Sequence, residues 1–136
     1  MHLTIYTDGS CIGNPGPGGW AALIIDEENQ ETAISGHQPD TTNNRMEMQA
    51  IIEALKHLHA KHKDLTKYQI DLYSDSNLII QTLNQGWKKK ANTDLWADID
   101  RLRAWQNITW HWVKGHSTNK YNNIVDELAQ KAARKN

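Results

Sequence analysis

The chain has 136 residues, 38% of them hydrophobic and 23% charged, which suits one soluble globular domain (1–136) that buries a core without staples. Fifteen Lys and Arg against sixteen Asp and Glu leave a formal net charge of −1, so only the distribution of charge can argue for a polyanionic partner. The one cysteine, Cys11, excludes an internal disulfide, and no apolar run approaches the roughly 20 residues of a bilayer span. With no basic and apolar leader ahead of the first strand, a cytoplasmic protein without a membrane attachment is expected. Six Trp, four Tyr and no Phe predict a surface that is aromatic in part, because buried indoles need partners for their N–H groups.

In chain order, residues 2–8 read as a strand, with Leu3 and Ile5 on one face and Tyr6 on the other. Residues 9–19, with five Gly and two Pro, predict a turn or tight loop. A second strand is expected over 20–26, a turn at 27–29 and a weaker strand over about 31–37. The clearest helix spans 43–61, capped by Thr42 or Asn43, with Ala50, Ile51, Ala54, Leu55 and Leu58 at helical spacing. A short strand over 70–74 leads to a helix over 76–84 that Gly86 ends. Asp94 can cap a helix over 95–105, 108–113 forms a strand, and 121–134 a last helix carrying Val125, Leu128, Ala129 and Ala132. Three early strands followed by strand–helix alternation imply an α/β fold with a mixed sheet and helices packed on it.

Four carboxylates stand out. Asp8 and Asp75 close the first and fourth strands, where α/β sheets assemble sites from separate pieces of chain. Glu47 falls within the apolar stripe of its helix, a costly place for a carboxylate without a pair or a cation. Asp126 lies at the margin of the last helix's stripe, one turn before Ala129. Singly, each has an ordinary reading as a turn former, a cap or a dipole-stabilised helix acid, and periodicity does not show that the four meet. Converged, they would hold hard cations such as Mg2+, which take oxygen ligands and bridge carboxylates to phosphate.

The segments Thr7-Asp8-Gly9-Ser10-Cys11 with Gly13-Asn14-Pro15-Gly16-Pro17-Gly18-Gly19, Thr41-Thr42-Asn43-Asn44-Arg45-Met46-Glu47, Ser74-Asp75-Ser76, and Trp112-Val113-Lys114-Gly115-His116 onward to Asp126-Glu127-Leu128-Ala129 resemble, in order, those of type 1 ribonuclease H. The resemblance covers nearly the whole chain and implies a ribonuclease H-like five-stranded mixed sheet flanked by helices. It implies an endonuclease that cuts the RNA strand of RNA–DNA hybrids with two Mg2+ ions (Mn2+ as the alternative), leaving 5′-phosphate and 3′-hydroxyl ends. Asp8 would be the carboxylate shared by both metals, with Asp75 on one side and Glu47 and Asp126 on the other. His116 would assist proton transfer or product release, as a neutral imidazole can near pH 7. Cys11, Asn14, Thr42, Asn43, Asn44 and Asn77 match or replace positions that touch the hybrid; Asn77 stands where Gln is often found.

Trp87-Lys88-Lys89-Lys90 is a basic aromatic cluster suited to sugar and phosphate contacts, with Lys114 as a further cation. The segment is short: many bacterial relatives carry a longer basic helix and loop here, so the chain resembles a form without that protrusion. Gly16-Pro17-Gly18-Gly19-Trp20-Ala21 fits a dinucleotide-binding pattern, but a strand-like rather than helical sequence follows, and no nucleotide cofactor is expected. His57, His59 and His62 do not share one helical face and read as a solvated surface rather than a zinc site. A complete acid set argues against a hybrid-binding module that does not cut, and the Thr-Asn-Asn-Arg-Met-Glu segment against a proofreading exonuclease or an integrase of the same broad fold. A monomer is expected.

Overall fold

A computed structural model describes residues 1–114 and 119–135. Five strands, β1 (His2–Cys11), β2 (Gly16–Ile25), β3 (Glu31–Thr41), β4 (Gln69–Ser74) and β5 (Asn107–Trp112), form one sheet in the order β3-β2-β1-β4-β5. β1 pairs antiparallel with β2 and parallel with β4, β2 pairs antiparallel with β3, and β4 pairs parallel with β5. The expected mixed sheet is therefore present.

Helix α1 (Asn43–Lys61) starts where the Thr42 hydroxyl accepts from the Arg45 backbone N–H, and α2 (Asn77–Gln85) starts on Ser76 and stops at Gly86, whose φ of 67° is left-handed. Helix α3 (Thr93–Arg103) and helix α4 (Lys120–Ala133) complete the fold, α4 capped by Asn119, whose side chain accepts from the Tyr121 and Asn122 N–H groups. A single 3-10 turn at Leu65–Lys67 precedes β4.

The period-2 alternation of the strands divides the core. Leu3, Ile5, Ala22, Ile24, Ile70, Leu72 and Trp110 meet Ile51, Leu55 and Leu58 of α1, Ile79 and Ile80 of α2, and Leu95, Trp96 and Ile99 of α3. On the other face Tyr6, Ala21 and Leu23 meet Val125 and Ala129 of α4.

Several boundaries differ from the sequence reading, among them that of α3, which covers 93–103 rather than 95–105. β1 and β2 run through most of the glycine-rich stretch, so only residues 12–15 connect them and Asp8 lies inside β1 rather than at its end. β3 extends to Thr41 instead of 37. Asp94 does not cap α3; Asn92 does, in a left-handed conformation and without a side-chain cap bond.

Gly9 and Gly19 serve close approach rather than turning. A Cβ on Gly9 would sit 2.3 Å from the Glu47 backbone nitrogen, and one on Gly19 would sit 2.4 Å from both the Ala129 carbonyl oxygen and the Ala133 nitrogen. Gly9 thus lets the first turn of α1 lie on β1, and Gly19 lets α4 lie on β2. Gly19→Ala should lower stability by about 1–3 kcal/mol through overpacking, read as a reduced midpoint in urea. An unchanged midpoint would mean that α4 does not rest on this strand.

Candidate active site

Three elements deliver acids to one place. The parallel register Thr7↔Ser74 brings Asp8 of β1 beside Asp75, which follows β4. Gly9 seats the first turn of α1, so Glu47 hangs over the same point. One ligand oxygen from each of Asp8, Glu47 and Asp75 lies within 4.8 Å of the other two. Asp126, in the second turn of α4, acts on Asp8 both by its side-chain contact and by its charge. Gln130 Nε2 donates to Asp126 Oδ2 at 3.2 Å, one helical turn away.

The acids are not neutralised from within the described residues. Asp8 is 2% and Glu47 8% exposed, and the Gly9 N–H donates to Asp8 Oδ1 at 2.8 Å. Asp8 Oδ2 and Glu47 Oε2 are buried with no hydrogen-bond partner. Burial, above all, and the charges of Asp75 and Asp126 push the Asp8 carboxyl up to about 8, against proton sharing with Glu47 that lowers it. Burial, followed by the Asp8 and Asp75 charges, holds Glu47 well above the usual carboxylate range, and burial also raises Asp75. Oxygen-only and charge-dense, with two buried oxygens that no donor reaches, this set fits a hard divalent cation.

A groove of ≈ 460 Å³ opens one helical turn from Glu47, lined by Asn14, Thr42, Asn43, Asn44 and Asn92. Asn14 Oδ1 accepts from the Asn43 N–H at 3.0 Å, so two of the expected contact residues organise each other. Thr42 Oγ1 is engaged as the helix cap. Asn77 is exposed at the start of α2, with Oδ1 accepting from Gln81 Nε2 at 3.4 Å. The Cys11 thiol points at the Gly16 and Thr41 carbonyls, each 3.4 Å away, as a packed thiol would.

Trp87, Lys88 and Lys90 are exposed as expected. Lys89 is not free: its Nζ is 2.9 Å from Asp100 Oδ2 and lies over the Trp96 ring. His116 lies outside the described residues. Of the three helix histidines, His59 Nε2 bonds the Leu102 carbonyl oxygen at 2.8 Å and His62 stacks at an angle on Tyr68, so two of them make tertiary contacts that a simple solvated surface did not foresee.

Asn92 and Arg45 are what the sequence reading missed. Arg45 Nη1 donates to Asn92 Oδ1 at 3.2 Å, and its guanidinium forks onto both oxygens of Asp94 at 3.1 and 2.7 Å. Its charge and hydrogen bonds hold the Asp94 carboxyl down to about 2. The clamp ties the start of α1 to the end of the basic segment and so sets the groove's width. The available signal was an Arg inside Thr-Asn-Asn-Arg-Met-Glu, whose partner lies 47 residues away.

The RNase H family profile matches residues 1–134. A ribonuclease H of Chlorobaculum parvum is 46% identical over 96% of this chain and 94% of its own length, and one of Ehrlichia canis is 43% identical over 94% and 92%. The solved structure of LC11-RNase H1 in complex with an RNA/DNA hybrid superposes with a TM-score of 0.84 at 29% identity, covering 96% of each chain.

The crowded acids also predict a stability effect. A carboxyl whose folded pKa lies above its unfolded one keeps its proton longer when folded, so the stability it supports is full below about pH 4 and is lost as pH rises toward 8. In chelator the melting temperature should fall between pH 5.5 and 8, and a millimolar divalent ion should restore it. Asp8→Asn should stabilise the metal-free protein at pH 7.5 by about 1–3 kcal/mol. A variant less stable than the parent would show that Asp8 is held by favourable contacts instead.

Proposed function

Because the chain belongs to the ribonuclease H family, we propose that Asp8, Glu47, Asp75 and Asp126 hold two divalent cations, Mg2+ in the cell, against the RNA strand of an RNA–DNA hybrid. The protein is a divalent-metal-dependent nuclease that hydrolyses the RNA strand of such hybrids. The observation that carries the assignment of ligands is the pair of buried, partnerless carboxylate oxygens, Asp8 Oδ2 and Glu47 Oε2, which lack the hydrogen bonds that buried polar atoms ordinarily find. When bound, the ions supply Lewis-acid activation of water and of the phosphodiester and stabilise the leaving oxygen, giving 5′-phosphate and 3′-hydroxyl ends.

The chain's own residues do the rest. Asp8, acted on by both Asp75 and Asp126, would be the carboxylate shared by both ions. Asn14, Thr42, Asn43 and Asn44 offer amide and hydroxyl groups to sugars and phosphates, and contacts to 2′-hydroxyls distinguish RNA from DNA. Asn92 completes the same wall. Trp87, Lys88 and Lys90, with Lys89 held to Asp100, receive the sugar–phosphate backbone, and Cys11, at the end of β1, is a further backbone contact. Asn77, on the first turn of α2, is an outlying contact. His116 moves a proton or releases product. No described helix is long and apolar enough to cross a membrane. We place the enzyme in the cytoplasm as a monomer, since its lone packed thiol suits a reducing compartment.

Matched RNA–DNA, RNA–RNA and DNA–DNA duplexes should separate the reading from its rivals. Only the RNA strand of the hybrid should be cut, internally, and only with a divalent ion; cutting in EDTA would exclude the metal reading. Asp8→Asn should retain hybrid binding but less than a tenth of the turnover, a loss above roughly 1.4 kcal/mol. His116→Ala should cost no more than about 10²-fold, and a loss as deep as that of Asp8→Asn would assign His116 a larger part. Replacing Lys88 and Lys90 with Ala should raise KM more than it lowers kcat and flatten the log-affinity against log-salt slope by roughly 0.7–0.9 per contact.

A further inference from the structure

Trp105 adds little to the core, and we propose that it is the stacking platform of a second nucleic-acid site, which takes a single strand running on beyond the hybrid. The residue is 91% exposed, although burying aromatic area is the usual contribution of a tryptophan. Its backbone is also left-handed, with φ 68°. Among the described residues the other non-glycine positions with positive φ are Asn29 and Asn92, a residue type that tolerates this region, whereas a bulky side chain there is an outlier. Exposure and backbone both disfavour Trp at this position for folding, and such outliers point to a role in function.

The surroundings match one chemistry. Trp105 edges an open cleft of ≈ 620 Å³ that Lys89, Asp100, Arg103, Gln106 and Trp110 also line. Asp100 anchors both cations, with Lys89 Nζ at 2.9 Å and Arg103 Nε at 3.6 Å, and the Arg103 guanidinium lies over the Trp110 ring at 6.0 Å. Two cations against one carboxylate leave the cleft positive. Gln106 Nε2 donates to the Ala104 carbonyl oxygen, fixing the turn, while its Oε1 is buried without a partner. A flat exposed ring, cations beside it and an unpaired acceptor suit a base face, a phosphate and a base amine respectively.

Shared lining residues link the cleft to the groove. Lys89 also lines a neighbouring cavity of ≈ 210 Å³ with Asn44, Lys88, Lys90 and Asn92, and Asn44 and Asn92 line the groove itself. The eleven residues of α3 separate the two ends by about 16 Å. The proposal rests on the hybrid-cleaving reading only for where the strand begins; a free strand tests the site by itself.

The test uses the full chain in chelator, so that nothing is cut. Affinity is measured for a blunt hybrid, for the same hybrid with a ten-nucleotide single-stranded extension on either strand, and for a free single-stranded 12-mer. An extension should tighten binding by about fivefold or more, and the 12-mer should bind measurably. Trp105→Gly, whose residue suits the left-handed backbone and therefore keeps the fold, should erase both gains, while Trp105→Tyr should keep them. Blunt-hybrid turnover with metal should be the same in all three proteins. An extension that adds nothing to the parent, or adds equally to Trp105→Gly, would overturn the site. Failure of hybrid cleavage with 12-mer binding intact would overturn the catalytic reading alone.

Discussion

Mutual repulsion among buried carboxylates is the constraint to which the rest of the structure answers. Asp8, Glu47 and Asp75 are drawn within 4.8 Å of one another, burial has stripped Asp8 and Glu47 of water, and two of their oxygens have no donor. No folding advantage comes from that arrangement. The framework around it therefore has to be overdetermined: a parallel pairing of β1 with β4, a helix pressed onto Gly9, and another pressed onto Gly19. The apolar core of α1, α2 and α3 against the sheet is what holds the acids together when no cation does. Stability and catalysis draw on the same few residues with opposite sign, as is common where a site is built against its own folding preference.

Much of this was legible in the sequence. Helix α1 was readable to its ends because capping and an apolar stripe agree, and Glu47 betrayed itself by interrupting that stripe. The glycine-rich stretch misled because propensity counts Gly as a breaker, whereas here the missing Cβ is what packing requires; β1 and β2 carry Gly9, Gly16, Gly18 and Gly19 within their lengths. Convergence was beyond any local pattern. Asp8 and Asp75 meet through a register set by strands more than sixty residues apart, and the Arg45 fork reaches Asp94 across 49 residues. The family resemblance supplied these meetings, which periodicity did not contain.

A net charge near zero conceals a strong arrangement. The acids are gathered at one point, while Lys88, Lys90 and Lys114 are exposed, and Asp100 and Asp94 hold Lys89 and Arg45 in fixed places. Carboxylates thus act both as cation ligands and as positioning groups for cations. A polyanion meeting this surface finds positive charge with known coordinates rather than a diffuse cloud, which favours register over mere attraction.

The basic segment hangs between two left-handed residues, Gly86 in open space and Asn92 in the grip of Arg45. Both ends are pinned by elements that stay where they are whatever lies between. Adding chain there would cost only the slowly growing entropy of a longer loop, about 0.6 kcal/mol for each doubling. Reach toward the substrate is therefore an adjustable length on a fixed mount: evolution or an engineer can lengthen the arm without disturbing a single atom of the acid cluster.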